Sequence, residues 1–144
     1  MKGYELLVKE LREKEQQKQV KDIMSPRIIT TEPETTLCDA INKMRENNIH
    51  GLLVAKKGKL MGIVTTYDAL LVMSRGNHIK DLLVEEVMTT DVISINQNSS
   101  ISEALEKMLE NQINRLPVLD KNKLVGVVST TDIINAYMDL VYEV

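Results

Sequence analysis

Residues 20–73 read VKDIMSPRIITTEPETTLCDAINKMRENNIHGLLVAKKGKLMGIVTTYDALLVM, and residues 84–137 read VEEVMTTDVISINQNSSISEALEKMLENQINRLPVLDKNKLVGVVSTTDIINAY. The second stretch is the first displaced by 64 positions, with no gap, and 18 of the 54 aligned pairs are identical. Chance would match about one pair in fifteen at average composition. Most other pairs keep their chemical type, such as Leu37 with Ile101 and Ile63 with Val127. The chain is therefore an internal duplication, and whatever folds one copy folds the other. Two copies fall short of the three or more that a solenoid needs. A unit of about 60 residues buries only about 60% of its unfolded surface and is marginal alone. The expectation is two copies closed on each other as a pseudo-twofold pair.

Each copy reads as the same string of elements. Ile28–Thr31 and Val92–Ile95 are short β-branched strands. Thr36-x-x-Asp39 and Ser100-x-x-Glu103 are capping boxes, in which side chain and backbone satisfy each other at a helix start. The helices they open carry apolar residues at helical spacing: Leu37, Ile41 and Met44 in one, Ile101, Leu105 and Met108 in the other. Leu52–Ala55 with Leu60–Val64, and Leu116–Leu119 with Leu124–Val128, read as buried hairpins. Their turns hold Gly58 and Asn122, residues that tolerate a left-handed backbone. A last helix starts near Thr66 in one copy and near Thr130 in the other. The order β-α-β-β-α, twice, predicts an α+β fold with segregated layers.

Around the copies lie an N-terminal helix within residues 1–19, a polar linker at 74–83 and the end of the last helix at 138–144. The N-terminal helix, predicted over 4–19, carries an apolar stripe of Tyr4, Leu7, Val8 and Leu11 that must pack on the repeats or on a partner chain. The apolar runs are far shorter than the ~20 residues of a membrane span, and no signal region follows Met1. The single Cys38 cannot form an intramolecular disulfide, which fits a cytoplasmic protein. A net charge of −3, with four Tyr, no Phe and no Trp, argues against nucleic acid as a partner. His50 and His78 stand outside any cluster of metal-ligand spacing, Cys38 reads as a small apolar residue, and no phosphate-binding P-loop is present. No catalytic constellation, metal site or required cofactor is legible.

The stretch with chemistry is Gly62-Ile-Val-Thr65-Thr-Tyr-Asp68 and its copy Gly126-Val-Val-Ser129-Thr-Thr-Asp132. Each runs from a strand end into a helix, with a hydroxyl at the N-cap and a carboxylate one turn in. Unpaired N–H groups and the positive end of the dipole at such a mouth suit a phosphate, and the carboxylate can accept from ribose hydroxyls. The glycine admits a ligand or a neighbouring backbone. Thr65-x-x-Asp68 is equally a plain capping box, and duplication copies caps as faithfully as sites.

Glycine, two hydrophobic residues, Thr or Ser, two arbitrary residues and Asp resemble the signature of the cystathionine β-synthase (CBS) domain family. Ile113-Asn-Arg115-Leu-Pro117-Val-Leu resembles that family's strand before the hairpin, and the Met24-Ser-Pro26 and Met88-Thr-Thr openings resemble its repeat start. The likeness covers roughly residues 20–137 and implies a CBS pair, or Bateman module, binding adenosine-containing ligands in two clefts between the repeats. It implies that Thr65 and Ser129 contact phosphate and that Asp68 and Asp132 contact ribose. Ile28, Ile29 and Thr30, with Val92, Ile93 and Ser94, would line adenine pockets together with Ile63 and Val127, and Arg115 would be a phosphate cation. Arg115 aligns with Gly51, His50 with Asn114 and Pro117 with Leu53, so the clefts are expected to be unequal. The resulting expectation is a cytoplasmic, non-enzymatic, homodimeric sensor of AMP, ADP or ATP, with an unknown regulated partner. The alternatives are a module for S-adenosylmethionine and a structural dimerisation domain that binds nothing.

Overall fold

The computed structural model describes residues 3–142; the extreme ends of the predicted terminal helices, residues 1–2 and 143–144, lie outside that range. Along the chain run α1 (Glu5–Lys14), a 3₁₀ turn (Val20–Asp22), β1 (Thr30–Thr31), α2 (Leu37–Asn47), β2 (Gly51–Lys56), β3 (Lys59–Thr65) and α3 (Thr66–Ser74). Then follow α4 (Val84–Val87), β4 (Ile95–Asn96), α5 (Ile101–Asn111), β5 (Arg115–Asp120), β6 (Lys123–Ser129) and α6 (Thr130–Val141). The β-α-β-β-α order is present twice, and the fold is α+β.

Two compact units form: a middle unit, Ile29–Val92, and a terminal unit, Met1–Ile28 with Ile93–Val144. Each unit combines the body of one repeat with the opening stretch of the other. In the middle unit β1 runs parallel to β2, Thr30 opposite Leu53, and β2 pairs antiparallel with β3. In the terminal unit β4 runs parallel to β5, Ile95 opposite Val118, and β5 pairs antiparallel with β6. Both hairpins carry a bulge at the same place, Val54/Ala55 and Val118/Leu119. Their turns put two successive residues at positive φ, Lys57 (53°) and Gly58 (80°), or Lys121 (48°) and Asn122 (70°). That is the twist a two-residue hairpin requires.

Helices α2 and α5 begin at the predicted caps, Thr36 accepting from the Asp39 amide and Ser100 from the Glu103 amide. Leu37, Ala40 and Met44 bury one face of α2; Ile101, Ala104, Leu105 and Met108 bury that of α5. These join Leu52, Val54 and Val64 in the middle unit, and Leu116, Val118 and Val128 in the terminal unit. Every one of these side chains is at most 6% exposed. Fully burying one such side chain contributes about 1.5–3 kcal/mol, so these two clusters hold the units.

Opening stretches seal each core. Val84 donates to the Thr35 carbonyl and Glu85 to that of Pro33. In the terminal unit the equivalent Val20 donates to Ser99 and Lys21 to Gln97. Val20 and Val84 are both fully buried. Helix α1 covers the terminal unit further, through buried Val8 and Leu11 and a hydrogen bond from the Tyr137 phenol to Glu10. Desolvation and then that bond push the phenol up to about 12.

Three expectations need correction. The N-terminal helix does not reach residue 19: it ends at Lys14, and Gln16 and Gln17 take positive φ in a tight turn before the chain joins the Gln97–Ser99 backbone. The strands expected at Ile28–Thr31 and Val92–Ile95 shrink to Thr30–Thr31 and Ile95–Asn96, where the ladder with β2 or β5 is formed over only two residues. Ile28, Ile29, Val92 and Ile93 therefore lead into the strands without belonging to them.

Candidate functional site

The motif glycines act on backbone packing. A Cβ built on Gly62 would lie 2.7 Å from the Thr89 carbonyl and 2.9 Å from the Met88 sulfur. On Gly126 it would lie 2.7 Å from the Met24 sulfur and 2.8 Å from the Ser25 carbonyl. Just beyond each glycine the opening stretch exchanges a pair of 2.9 Å hydrogen bonds with the strand, Thr89 with Ile63 and Ser25 with Val127. Of the two roles the sequence left open, the glycine serves the neighbouring backbone.

Strands β3 and β6 then deliver their hydroxyls to the helix starts. Thr65 is the N-cap of α3 and Ser129 that of α6. The Thr65 hydroxyl accepts from the Asp68 amide at 3.2 Å, while Asp68 Oδ2 accepts from both the Thr65 amide and the Thr65 hydroxyl at 2.9 Å. Ser129 and Asp132 repeat the arrangement, with Oδ2 accepting at 2.8 and 3.0 Å and the Asp132 amide donating at 3.2 Å. Both capping boxes are thus complete. All of the recorded bonds to each carboxylate fall on Oδ2, and a carboxylate has a second oxygen that can accept. Cap and ligand acceptor are compatible roles for one side chain.

The helix mouths are less open than expected. Thr66 donates its amide to the His50 carbonyl and Thr130 to that of Asn114. With Asp68 and Asp132 also engaged, only the Tyr67 and Thr131 amides, of the first three in each helix, lack an acceptor among the described residues. One amide with the dipole behind it is a weak grip on a phosphate, so a nearby cation would matter more.

The middle unit holds Ile29, Thr30, His50, Ile63, Thr65, Asp68 and Val92; the terminal unit holds Ile28, Ile93, Ser94, Arg115, Val127, Ser129 and Asp132. Arg115 opposes Ser129 in the β5–β6 register, as Gly51 opposes Thr65 in β2–β3. A Cβ on Gly51 would meet the Thr65 methyl at 3.4 Å, so side chains at these two positions adjoin the hydroxyl. Arg115 and His50 are exposed. Ile29 (38%) and Ile93 (36%), equivalent residues, are among the exposed large apolar side chains. A concavity of about 560 Å³ lies elsewhere, around Glu15–Asp22, Asn98 and Ser100.

One pair escaped the sequence reading. Lys107 on α5 donates to the Ser94 carbonyl at 2.7 Å, and Lys43 on α2 donates to the Thr30 carbonyl. These lysines fix the segments that carry Ile29 and Ile93. Their signal was available: Lys43-Met44 and Lys107-Met108 are identical in both copies although the lysine lies off the buried stripe. Among the described residues no group of three His, Cys, Asp or Glu could hold a metal, and no helix is long and apolar enough to cross a membrane.

The family model described as the CBS domain matches residues 20–75 and 84–139. The CBS domain-containing protein YhcV of Bacillus subtilis is 35% identical over 114 residues, covering 79% of this chain and 81% of its own. The crystal structure of CBSX2 in complex with AMP superposes with a TM-score of 0.71 at 27% identity, covering 84% of this chain and 96% of that one. The CBS domain pair of protein MJ0100, in complex with 5′-methylthioadenosine and S-adenosyl-L-methionine, gives 0.68 at 29% identity, covering 83% and 95%.

Proposed function

The chain belongs to the CBS-domain family, and from that premise we propose that it is a non-enzymatic regulatory module that binds an adenosine-containing ligand, with an adenine nucleotide as the first choice. One observation carries this reading. Asp68 and Asp132 complete their caps through Oδ2 alone, which leaves Oδ1 to accept from a ribose hydroxyl. The exposed Ile29 and Ile93 supply apolar surface for a purine, Thr65 and Ser129 border its phosphate, and Arg115 offers the cation. The AMP complex of CBSX2 supports the nucleotide. The MJ0100 complex supports S-adenosylmethionine as the second reading.

A homodimer in the cytoplasm completes the proposal. Helices α3 and α6, which begin at the two motifs, expose Tyr67, Leu70, Leu71 and Met73, and Ile134, Met138 and Tyr142. Ile134, Met138 and Tyr142 lie four residues apart and form one stripe that a second copy would cover.

Melting curves with AMP, ADP, ATP and S-adenosylmethionine test the ligand. Ligand at 100 times its Kd adds about 2.7 kcal/mol, which raises Tm by roughly 5–11 °C for a chain near this size. No shift with any of the four at millimolar concentration leaves a structural domain whose motifs are only caps. Asp68→Ala and Asp132→Ala refine the test. A lost cap lowers apo stability by about 1 kcal/mol, whereas a lost ribose contact removes the preference for ribose over 2′-deoxyribose.

A further inference from the structure

We propose that the two sites divide ligands by charge: the terminal unit takes a nucleoside bearing a 5′-phosphate, and the middle unit takes an adenosine derivative whose 5′ substituent carries no negative charge. This inference rests on the adenosyl-binding reading above and names the ligand class of each of its two sites.

The support is the position beside the cap hydroxyl. Arg115 stands opposite Ser129, whereas its equivalent opposite Thr65 is Gly51. Among the described residues each helix mouth keeps a single amide without an acceptor in its first three, so the guanidinium is the principal phosphate donor available to the terminal unit. At the equivalent position the middle unit has only Gly51, and the ring beside that mouth is His50, where the terminal unit has Asn114. Arginine meets phosphate with two parallel charged hydrogen bonds, a geometry that an amide alone does not replace.

Calorimetry with adenosine 5′-monophosphate and 5′-deoxy-5′-methylthioadenosine tests the division on the full chain. In the wild type the monophosphate should fill one site per chain, removed by Asp132→Ala, and the thioether one site, removed by Asp68→Ala. Arg115→Gly should weaken the monophosphate about tenfold or more and leave the thioether unchanged. Gly51→Arg should add a second monophosphate site, and a Cβ there meets only ordinary contact at 3.4 Å. If Gly51→Arg fails to fold, Arg115→Gly decides alone. Equal monophosphate affinity in both units, or no loss in Arg115→Gly, overturns the division while the aspartate variants still uphold an adenosyl site. No binding of either probe to the wild type at millimolar concentration overturns the adenosyl reading itself, and the division with it.

Discussion

The middle and terminal units solve one problem in two ways: what covers the central helix and ends its first turn. In the middle unit the stretch before α4 does both. The Leu82 and Ile79 carbonyls accept from the Leu37 and Cys38 amides of α2, and the same two residues pack half-buried against its core. In the terminal unit the task passes to α1 and the turn behind it. Glu15 accepts from the Ser102 amide at 2.9 Å and from the Ser102 hydroxyl at 3.2 Å, and Leu11 is fully buried. Cys38 and Ser102 are equivalent residues. Duplication has kept the backbone bonds of the opening stretches in register, from Val20 and Val84 onward, while the cover beyond them was built anew. The constant part makes the fold. The variable part is where the copies are free to differ.

The largest test of that comparison is the cover itself. Leu11→Ala removes a side chain with no exposure and should cost about 2–5 kcal/mol. Leu82→Ala, at a half-buried site, should cost less than half as much. Equal losses in urea denaturation would mean that the two covers are equivalent after all. Next come the glycines. Gly62→Ala and Gly126→Ala each force a methyl to within 3 Å of a backbone carbonyl and should cost about 1–3 kcal/mol. Gly51→Ala meets nothing closer than 3.4 Å and should stay within about 0.5 kcal/mol. A benign Gly62→Ala would show that the opening stretch does not need its close approach.

Those contrasts mark what was legible in the sequence. The hairpins, the capped helices and the α+β order could be read because each rests on local signals: apolar spacing, boxes such as Thr36-x-x-Asp39, and a Gly or Asn at the turn. The motif residues were legible through likeness to a family, and the structure puts them at the helix starts expected of them. The exchange of opening stretches between repeats was not legible, because Met24 and Met88 pack on glycines about a hundred and about thirty residues away in the chain, and no local pattern encodes the partner. The shortened strands were missed for a related reason. Ile28 and Ile29 have strand propensity, but the ladder with β2 forms only at Thr30 and Thr31, although β2 itself begins at Gly51. Lys43 and Lys107 are kept in both copies, but a helical lysine reads as solvated surface until the carbonyl it bonds is known.

A smaller effect isolates the Glu15 cap. Glu15→Ala leaves the first turn of α5 without its carboxylate and should lower stability by about 1 kcal/mol. Glu15→Gln keeps an acceptor oxygen and should recover part of it. The middle unit offers an internal control, because carbonyls rather than a distant carboxylate serve the Leu37 and Cys38 amides of α2, and Cys38→Ala should leave those bonds intact. Hydrogen exchange locates the change: protection should fall in the first turn of α5 and hold in that of α2. Loss in both helices would mean that Glu15 supports more than its own unit.

The smallest expected effect asks whether every difference between the copies matters. The hairpin tips carry Gly58 and Asn122 at the same turn position, with φ of 80° and 70°. Such turns favour glycine there because it enters the left-handed region without a steric cost, while asparagine tolerates it. Asn122→Gly should therefore stabilise by a few tenths of a kcal/mol and Gly58→Asn should destabilise by as much, shifts of about 1–2 °C in Tm. The double exchange should return to the wild-type value, since distant sites add. Neither variant should alter any ligand response, because the tip lies at the opposite end of the hairpin from the residue 51 and residue 115 positions. Exchange at 51 and 115 is expected to do the reverse, leaving stability nearly unchanged and redistributing ligands. If the tip exchange also moved ligand affinity, divergence between the copies would not be confined to the sites, and Arg115 would lose its special standing.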